Sequence, residues 1–178
     1  MLKNEIIAMV QEFQDYFDTD ESTKSVAFRN SLIEEETNEL LNATNIVDQA
    51  DAYGDIAYVI AGSIIKFSDN KAIREQYEFL LDKHLSEFSA FFTSSEMPLI
   101  MKEIHRSNMS KACNSLEEAH LTIAKYNYVD DFRVLVKNDK YLIYCNANYD
   151  EIKKGKLLKG INYSPANLSP LLHANPKS

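Results

Sequence analysis

The chain contains few residues that interrupt helices and few that could form cross-links. Its 178 residues include four glycines, four prolines, two cysteines and no tryptophan. The two cysteines, Cys113 and Cys145, share no short motif and are too few for a disulfide framework, so reduced thiols are expected. Three of the four prolines follow residue 160. The rest of the chain is therefore free to form long helices.

Long apolar runs and basic stripes are also missing. The longest apolar candidate, residues 56–65, is far shorter than the ~20 residues of a membrane span, and the polar start does not resemble a signal peptide. We therefore expect a soluble, cytoplasmic protein that does not contact a membrane. The net charge of −8 argues against a nucleic-acid partner. Either the ligand is not anionic, or a divalent cation mediates its binding.

Apolar periodicity predicts five helices in the first part of the chain. Their expected bounds are residues 3–17, 24–43, 47–67, 71–92 and 98–112. The last of them is expected to start at Pro98, because proline is favoured in the first helical turn. Residues 1–113 are thus predicted to form one helical bundle.

The character of the sequence changes after residue 113. Ser115 and Glu118 form a capping-box pattern that predicts a short helix. Residues 132–136 and 140–145 are typical of strands, and residues 137–139 between them are typical of a hairpin turn. We expect a helix and β-hairpin insertion at residues 114–155. Residues 156–178 are expected to be a loop-like tail that returns to the bundle.

Acidic residues cluster on the second and third predicted helices. At ~100° per residue, Glu35 and Glu39 lie about 40° apart around the second helix, and Glu36 is offset from that pair. Glu34 is expected to lie on a solvated face. On the third helix, Asp48, Asp51 and Asp55 fall within an arc of about 60°.

The third helix is otherwise so apolar that it must be largely buried, and an unpaired buried carboxylate is costly. The connection between the two helices is short, so they should form an antiparallel hairpin with facing acidic surfaces. Clustered carboxylates repel one another unless a cation lies among them. Ligand sets made only of oxygen favour Mg²⁺, with Mn²⁺ as a substitute.

The pattern Glu35-Glu36-x-x-Glu39, followed by Asp51-x-x-x-Asp55, resembles the signature of the all-α nucleoside triphosphate pyrophosphohydrolases. That superfamily includes MazG, the dimeric dUTPases and phosphoribosyl-ATP pyrophosphohydrolase. Residues 105–111 and 158–168 also resemble C-terminal motifs of MazG-like proteins of the phage type. One departure is clear, because Ala52 stands where the superfamily usually has an acidic residue. Either Asp51 or Asp48 must replace it.

The resemblance implies a MazG-like all-α bundle, here with a small α+β insertion, that assembles as a homodimer or homotetramer. Glu35, Glu39, Asp51 and Asp55 are the predicted magnesium ligands, with Asp48 as a further candidate. Glu36 is the predicted general base, because it is offset from the Glu35–Glu39 pair and an adjacent glutamate has this role in the superfamily.

Three residues are predicted to bind the substrate: Asn108 and Lys111 from the fifth helix, and Lys159 from the tail. His105 lies one turn before Asn108, and the sequence leaves its role open. No P-loop or dinucleotide-binding fingerprint is present.

The expected reaction is magnesium-dependent hydrolysis of a nucleoside triphosphate to monophosphate and pyrophosphate. Two alternatives stay open. The first is activity on phosphoribosyl-ATP, and the second is a non-catalytic nucleotide-binding protein with the same fold. The sequence does not indicate which base or sugar is preferred.

Overall fold

The computed structural model describes residues 2–17, 25–127, 129–149, 152 and 154–172. Its helices are α1 (Leu2–Phe17), α2 (Val26–Asn42), α3 (Ile46–Lys66), α4 (Lys71–Phe91), α5 (Glu96–Met109) and α6 (Leu116–Lys125). An antiparallel hairpin of β1 (Phe132–Lys137) and β2 (Lys140–Cys145) follows, and then a short 3-10 helix at Ser169–Leu171. The predicted all-α fold with a small α+β addition is confirmed.

Polar caps determine where the bundle helices begin. The side chains of Ser25, Asn45 and Asn70 accept hydrogen bonds from the first backbone N–H groups of α2, α3 and α4. These groups would otherwise lack partners, because a helix leaves its first four N–H groups unsatisfied. Position 24, where the second helix was predicted to start, lies outside the described residues.

The start of α5 differs from the prediction. The helix begins at Glu96, two residues before Pro98. The carboxylate of Glu96 accepts hydrogen bonds from the backbone N–H and the hydroxyl of Thr93, at 2.8 and 2.7 Å. This local network starts the helix early. Pro98 is still accommodated, because its missing N–H lies within the first turn.

Helix α3 is the centre of the bundle, and α1, α2, α4 and α5 pack around it. The main core contains Ile56, Ile60 and Ile64 of α3, which are 1–5% exposed, together with fully buried Leu81 and Phe88 of α4. Burial of such side chains stabilises a fold by about 1.5–3 kcal/mol each. Within the described residues, no helix is both long enough and apolar enough to cross a bilayer.

The hairpin turns through Asn138 and Asp139, whose φ angles are +50° and +58°. Asn and Asp tolerate this left-handed conformation, which a two-residue turn of the primed type requires. The hairpin and α6 enclose a smaller core that includes Cys113, Ala119 and Ile143. Both Cys113 and Cys145 are buried free thiols, as predicted.

The segment after the hairpin pairs with β2 and then returns to the bundle. The backbone N–H of Cys145 donates to the carbonyl of Lys156 at 3.0 Å, and that of Leu158 donates to the carbonyl of Ile143 at 2.8 Å. Further along, Leu168 is 1% exposed within the main core. Residues 156–172 therefore contact both the insertion and the helices. The boundaries at residues 113 and 155 stay a prediction.

Candidate active site

A cavity of about 500 Å³ lies between α1, α2, α3, α5 and the segment that follows the hairpin. Its wall brings together residues as distant in sequence as Val10 and Ala166. Five carboxylates line it: Glu35, Glu36, Glu39, Asp51 and Asp55. Four of them were predicted as metal ligands and one as the base.

Helix α2 supplies three of these carboxylates. Glu35 and Glu36 are half-buried, whereas Glu39 lies nearer the open edge of the cavity and is exposed. Glu34 is exposed and is not part of the cavity wall, in agreement with the predicted solvated face. One side of α2 therefore faces the cavity, as its periodicity predicted.

Helix α3 supplies the other two, Asp51 and Asp55. Asp48 has a different position. Its carboxylate accepts a hydrogen bond from Nδ2 of Asn45 at 2.7 Å, and its backbone N–H donates to Oδ1 of the same residue. Asp48 is exposed at the cap of α3 and does not line the cavity. Of the two candidates that the sequence left open, the geometry favours Asp51.

The carboxylates in the cavity disfavour one another's charge. Burial, reinforced by Asp55, Glu39 and Glu35, raises the pKa of Glu36 to about 8. Burial and Asp51 raise the pKa of Asp55 to about 7. Burial and Glu39 also raise the pKa of Asp51. Without a cation among them, these groups cannot all be ionised cheaply near neutral pH.

Two of the predicted substrate-binding cations face the carboxylates. Lys111 follows α5, and burial lowers the pKa of its ammonium group, while Asp55 opposes that shift. Its Nζ donates to Oδ1 of Asn108 at 2.5 Å, so Asn108 fixes the lysine. Lys159 also lines the cavity, and its Nζ lies 4.7 Å from the ring centre of Tyr163. Asn108, Lys111 and Lys159 are thus brought together.

His105 does not line the cavity. Its Nδ1 lies 2.9 Å from the hydroxyl of Tyr58, and its Nε2 lies 3.3 Å from a carboxylate oxygen of Glu12. Tyr58 itself is on the cavity wall. His105 therefore lies outside the cavity and positions the hydroxyl of Tyr58 on its wall.

Sequence reasoning missed several residues of the wall. Lys156 lines the cavity and approaches Oε1 of Glu35 at 3.3 Å. Tyr163 and Ser107 meet there through their hydroxyls, at 3.1 Å. Arg29 is 8% exposed and donates to the carbonyl of Val59 at 2.7 Å. Only the basic character of residues 153–159 could have indicated Lys156, and it did not specify which lysine faces the site.

The donor set fits a hard divalent cation. All of its candidate ligands are carboxylate oxygens, the type that Mg²⁺ and Mn²⁺ prefer. A cation would also favour the ionised forms of Glu36, Asp51 and Asp55, whose pKa values are raised by burial and by the neighbouring carboxylates. Among the described residues, no three Asp, Glu, His or Cys side chains already converge at ligating distance. Ion binding therefore requires adjustment of these side chains.

The protein is thus a helical bundle in which two consecutive helices, α2 and α3, carry carboxylates that share one cavity. Residues 4–68 match the model of the phosphoribosyl-ATP pyrophosphohydrolase family, which belongs to the MazG-like all-α nucleoside triphosphate pyrophosphohydrolase superfamily. The match contains all five carboxylates of the cavity. The predicted resemblance is thereby confirmed over α1 to α3. The family is typically metal-dependent.

The chain is also similar to uncharacterized protein L479 of Acanthamoeba polyphaga mimivirus. The two are 28% identical over 212 aligned positions, which cover 82% of this chain and 84% of the viral protein. The similarity therefore extends well beyond the three matched helices. No solved structure matches the chain significantly.

Proposed function

We propose that the protein is a magnesium-dependent nucleotide pyrophosphohydrolase. It would cleave a nucleoside or deoxynucleoside triphosphate between the α- and β-phosphates, giving the monophosphate and pyrophosphate. One observation carries the proposal: five carboxylates of α2 and α3 share a single cavity with Lys111 and Lys159. The carboxylates of the cavity can bind a cation, and its lysines can bind the anionic phosphates that accompany that cation.

Glu35, Glu39, Asp51 and Asp55 would hold the metal. When bound, Mg²⁺ neutralises phosphate charge and lowers the pKa of a coordinated water. Asp48 is the weaker candidate, because the cap of α3 occupies its carboxylate.

Glu36 would accept the proton of the attacking water. It lies beside the proposed ligands, and burial, reinforced by the charges of the neighbouring carboxylates, raises its pKa to about 8. A cation among these groups lowers that pKa and makes the carboxylate available as a base near neutral pH. Glu36 is therefore mostly protonated without a metal, and it would become ionised when a metal-bound substrate enters the cavity.

Lys111, Lys159 and Asn108 would orient the phosphates. Lys111 is partly buried and can make strong charge-assisted hydrogen bonds to phosphate oxygens. Asn108 restrains its ammonium group, which limits the conformational freedom lost when the substrate binds.

Two other functions fit the same cavity. The matched family is named for activity on phosphoribosyl-ATP, so this nucleotide is the second candidate substrate. A non-catalytic nucleotide-binding protein is the third reading. All five acidic side chains are retained on the wall, which favours an enzyme.

Pyrophosphate release separates these functions. The purified protein is assayed with 5 mM MgCl₂ (a condition of roughly physiological order) against the common ribo- and deoxyribonucleoside triphosphates and phosphoribosyl-ATP. Release from triphosphates that is lost with EDTA and in Glu36→Gln supports the proposal. Release from phosphoribosyl-ATP alone favours the second function. Magnesium-dependent nucleotide binding without any release indicates the third.

A further inference from the structure

Lys156 joins the insertion to the carboxylates of the bundle. Its Nζ lies 3.3 Å from Oε1 of Glu35, across 121 positions of sequence. Lys156 also lines the cavity, although it lies far outside the segment matched by the family model. Glu35 is one of the proposed metal ligands. The ion pair therefore connects a residue outside the family match with a proposed metal ligand inside it.

The insertion determines where Lys156 lies. The carbonyl of Lys156 accepts a hydrogen bond from the N–H of Cys145, and its neighbour Leu157 forms a bridge with Tyr144. The hydroxyl of Tyr144 in turn donates to the carbonyl of Phe17 at the end of α1. Backbone pairing on one side and a contact with α1 on the other thus hold Lys156 over the cavity.

Stability alone is a poor explanation for the ion pair. The side chains of Lys156 and Glu35 are 51% and 32% exposed. Ion pairs with this much exposure contribute little to folding, because water and salt screen them. The pair can consequently be broken at low cost when either partner gains a better one.

A metal-bound anionic substrate offers both partners a replacement. A cation attracts the Glu35 carboxylate, and a phosphate oxygen attracts the Lys156 ammonium. Each charge then has an opposite charge beside it both before and after binding. Lysine suits this exchange, because its ammonium is a point charge on a flexible stem.

We propose that Lys156 binds the polyphosphate of the substrate and that it releases Glu35 to the metal when substrate enters. This inference rests on the proposed function, since it names a further substrate-binding residue for the same cavity. It gives a direct role in binding to a residue that the insertion holds in place.

Initial-rate kinetics test the proposal, with Lys154→Gln as the matched control. Lys154 is exposed, lies two residues away and is not part of the cavity wall. Lys156→Gln should raise KM for the preferred nucleotide roughly tenfold to a hundredfold, the loss expected for one hydrogen bond to a charged group. Its kcat should change much less, because binding is lost equally from the ground and transition states. Lys156→Arg should recover most of the affinity, and Lys154→Gln should resemble the wild type.

Calorimetry with inorganic pyrophosphate gives a second readout that needs no turnover. Without magnesium, Glu35→Gln should bind pyrophosphate more tightly than the wild type, because it frees Lys156. That gain should disappear when Glu35→Gln is combined with Lys156→Gln. A gain that persists in the double variant would be a general charge effect and would overturn the proposal.

The outcomes also distinguish this inference from the proposed function. Absence of turnover in the wild type, with the calorimetric coupling intact, would refute the enzyme but keep the role of Lys156. Equal KM values for Lys156→Gln and Lys154→Gln in an active enzyme would refute only the inference. A lowered melting temperature with unchanged KM would show Lys156 to be a structural tether, and would likewise overturn it.

Discussion

The ammonium of Lys111 lies 2.5 Å from Oδ1 of Asn108, one turn away at the end of α5. Asn108 is 9% exposed, so the contact is sheltered from water. Burial lowers the pKa of Lys111, and the nearby charges of Asp55 and Glu36 oppose that shift. The contact with Asn108 therefore holds the ammonium of Lys111 near carboxylates of α2 and α3.

Magnesium should stabilise the folded protein. A ligand that binds only the native state adds RT ln(1 + [L]/Kd), which is about 2.7 kcal/mol at a hundredfold excess over Kd. We expect 5 mM MgCl₂ to raise Tm by several degrees, roughly as such an energy does for a chain of this size. Differential scanning fluorimetry measures the shift, with NaCl at equal ionic strength as the control. Asp55→Asn should reduce the shift, and a wild-type curve that does not respond to magnesium would argue against the metal site.

Glu36→Gln should separate catalysis from binding. The amide has nearly the same shape but cannot accept a proton, so kcat should fall by about 10²–10⁴. Magnesium-dependent nucleotide binding should persist. Glu39→Gln, on the same helix, should instead weaken magnesium binding in a titration followed by calorimetry. Near wild-type turnover in Glu36→Gln would mean that another group is the base.

The stability of the metal-free protein should depend on pH through Glu36. Folding raises the pKa of Glu36 from 4.5 to about 8, so the native state binds its proton more tightly than the unfolded state does. Its contribution to stability is therefore complete below pH 4.5 and is lost as the pH rises through about 8. The glutamine of Glu36→Gln does not ionise, so this loss of stability with rising pH should be absent from the variant.

The measurement compares the two proteins in EDTA between pH 6 and pH 9. Glu36→Gln should gain at least ~1 kcal/mol on the wild type over this range, or about 2–4 °C in Tm. Saturating magnesium should abolish the difference in slope. Parallel curves in EDTA would show that Glu36 is not protonated in the apo protein.

Removal of the insertion should leave the bundle folded. Among the residues of 115–154 that the structure describes, none contributes a buried side chain to the main core. Replacement of residues 115–154 by a Gly/Ser linker should preserve the far-ultraviolet circular dichroism of the helices, with a lower Tm because Phe17 and Ala112 lose their contacts with β2. Lys156 and Lys159 lose their support, so KM and the preference among nucleotides should change more than the metal requirement. An unchanged substrate profile would show that the insertion has no part in binding.

We also propose that the protein assembles as a homodimer or homotetramer. Leu41 and Phe91 are 77% and 53% exposed, and they lie at the end of the bundle where α2 and α4 finish. Exposed apolar side chains of this size often mark interfaces. Light scattering should give a dimeric or larger mass for the wild type and a smaller one for Leu41→Glu with Phe91→Ser. Lys83→Ser is the control, because Lys83 is a polar residue of α4 whose side chain is 65% exposed. A monomeric wild type would refute the proposal.

The sequence predicted most of the helical bundle because its signals are local. Apolar spacing defines α1 to α4 to within one or two residues at the ends that the structure describes, and the pair Asn138-Asp139 has the backbone preference that its turn needs. The start of α5 was wrong, since the side chain of Glu96 outweighs the usual preference of Pro98 for the first helical position. The preference of proline for the first helical position was overridden there by the hydrogen bonds between Glu96 and Thr93.

The carboxylate wall was predictable for a related reason. Periodicity and a superfamily signature assigned Glu35, Glu36, Glu39, Asp51 and Asp55 to two facing helices. Periodicity could not separate Asp48 from Asp51, because the two lie on the same face and only the cap of Asn45 distinguishes them. The place of Lys156 in the site could not be predicted from the sequence. It depends on backbone pairing with β2 and on a contact with Glu35, more than a hundred positions earlier.

The wide sequence separation across the cavity has a consequence for biosynthesis. All five acidic side chains lie within the first 55 residues, whereas Lys111, Lys156 and Lys159 emerge later from the ribosome. Because folding during translation proceeds from the N-terminus, the first three helices can meet before any of these lysines is present. During that interval the five carboxylates lack the opposing charges of the lysines. We therefore expect the acidic wall of the cavity to be assembled before its basic residues are added.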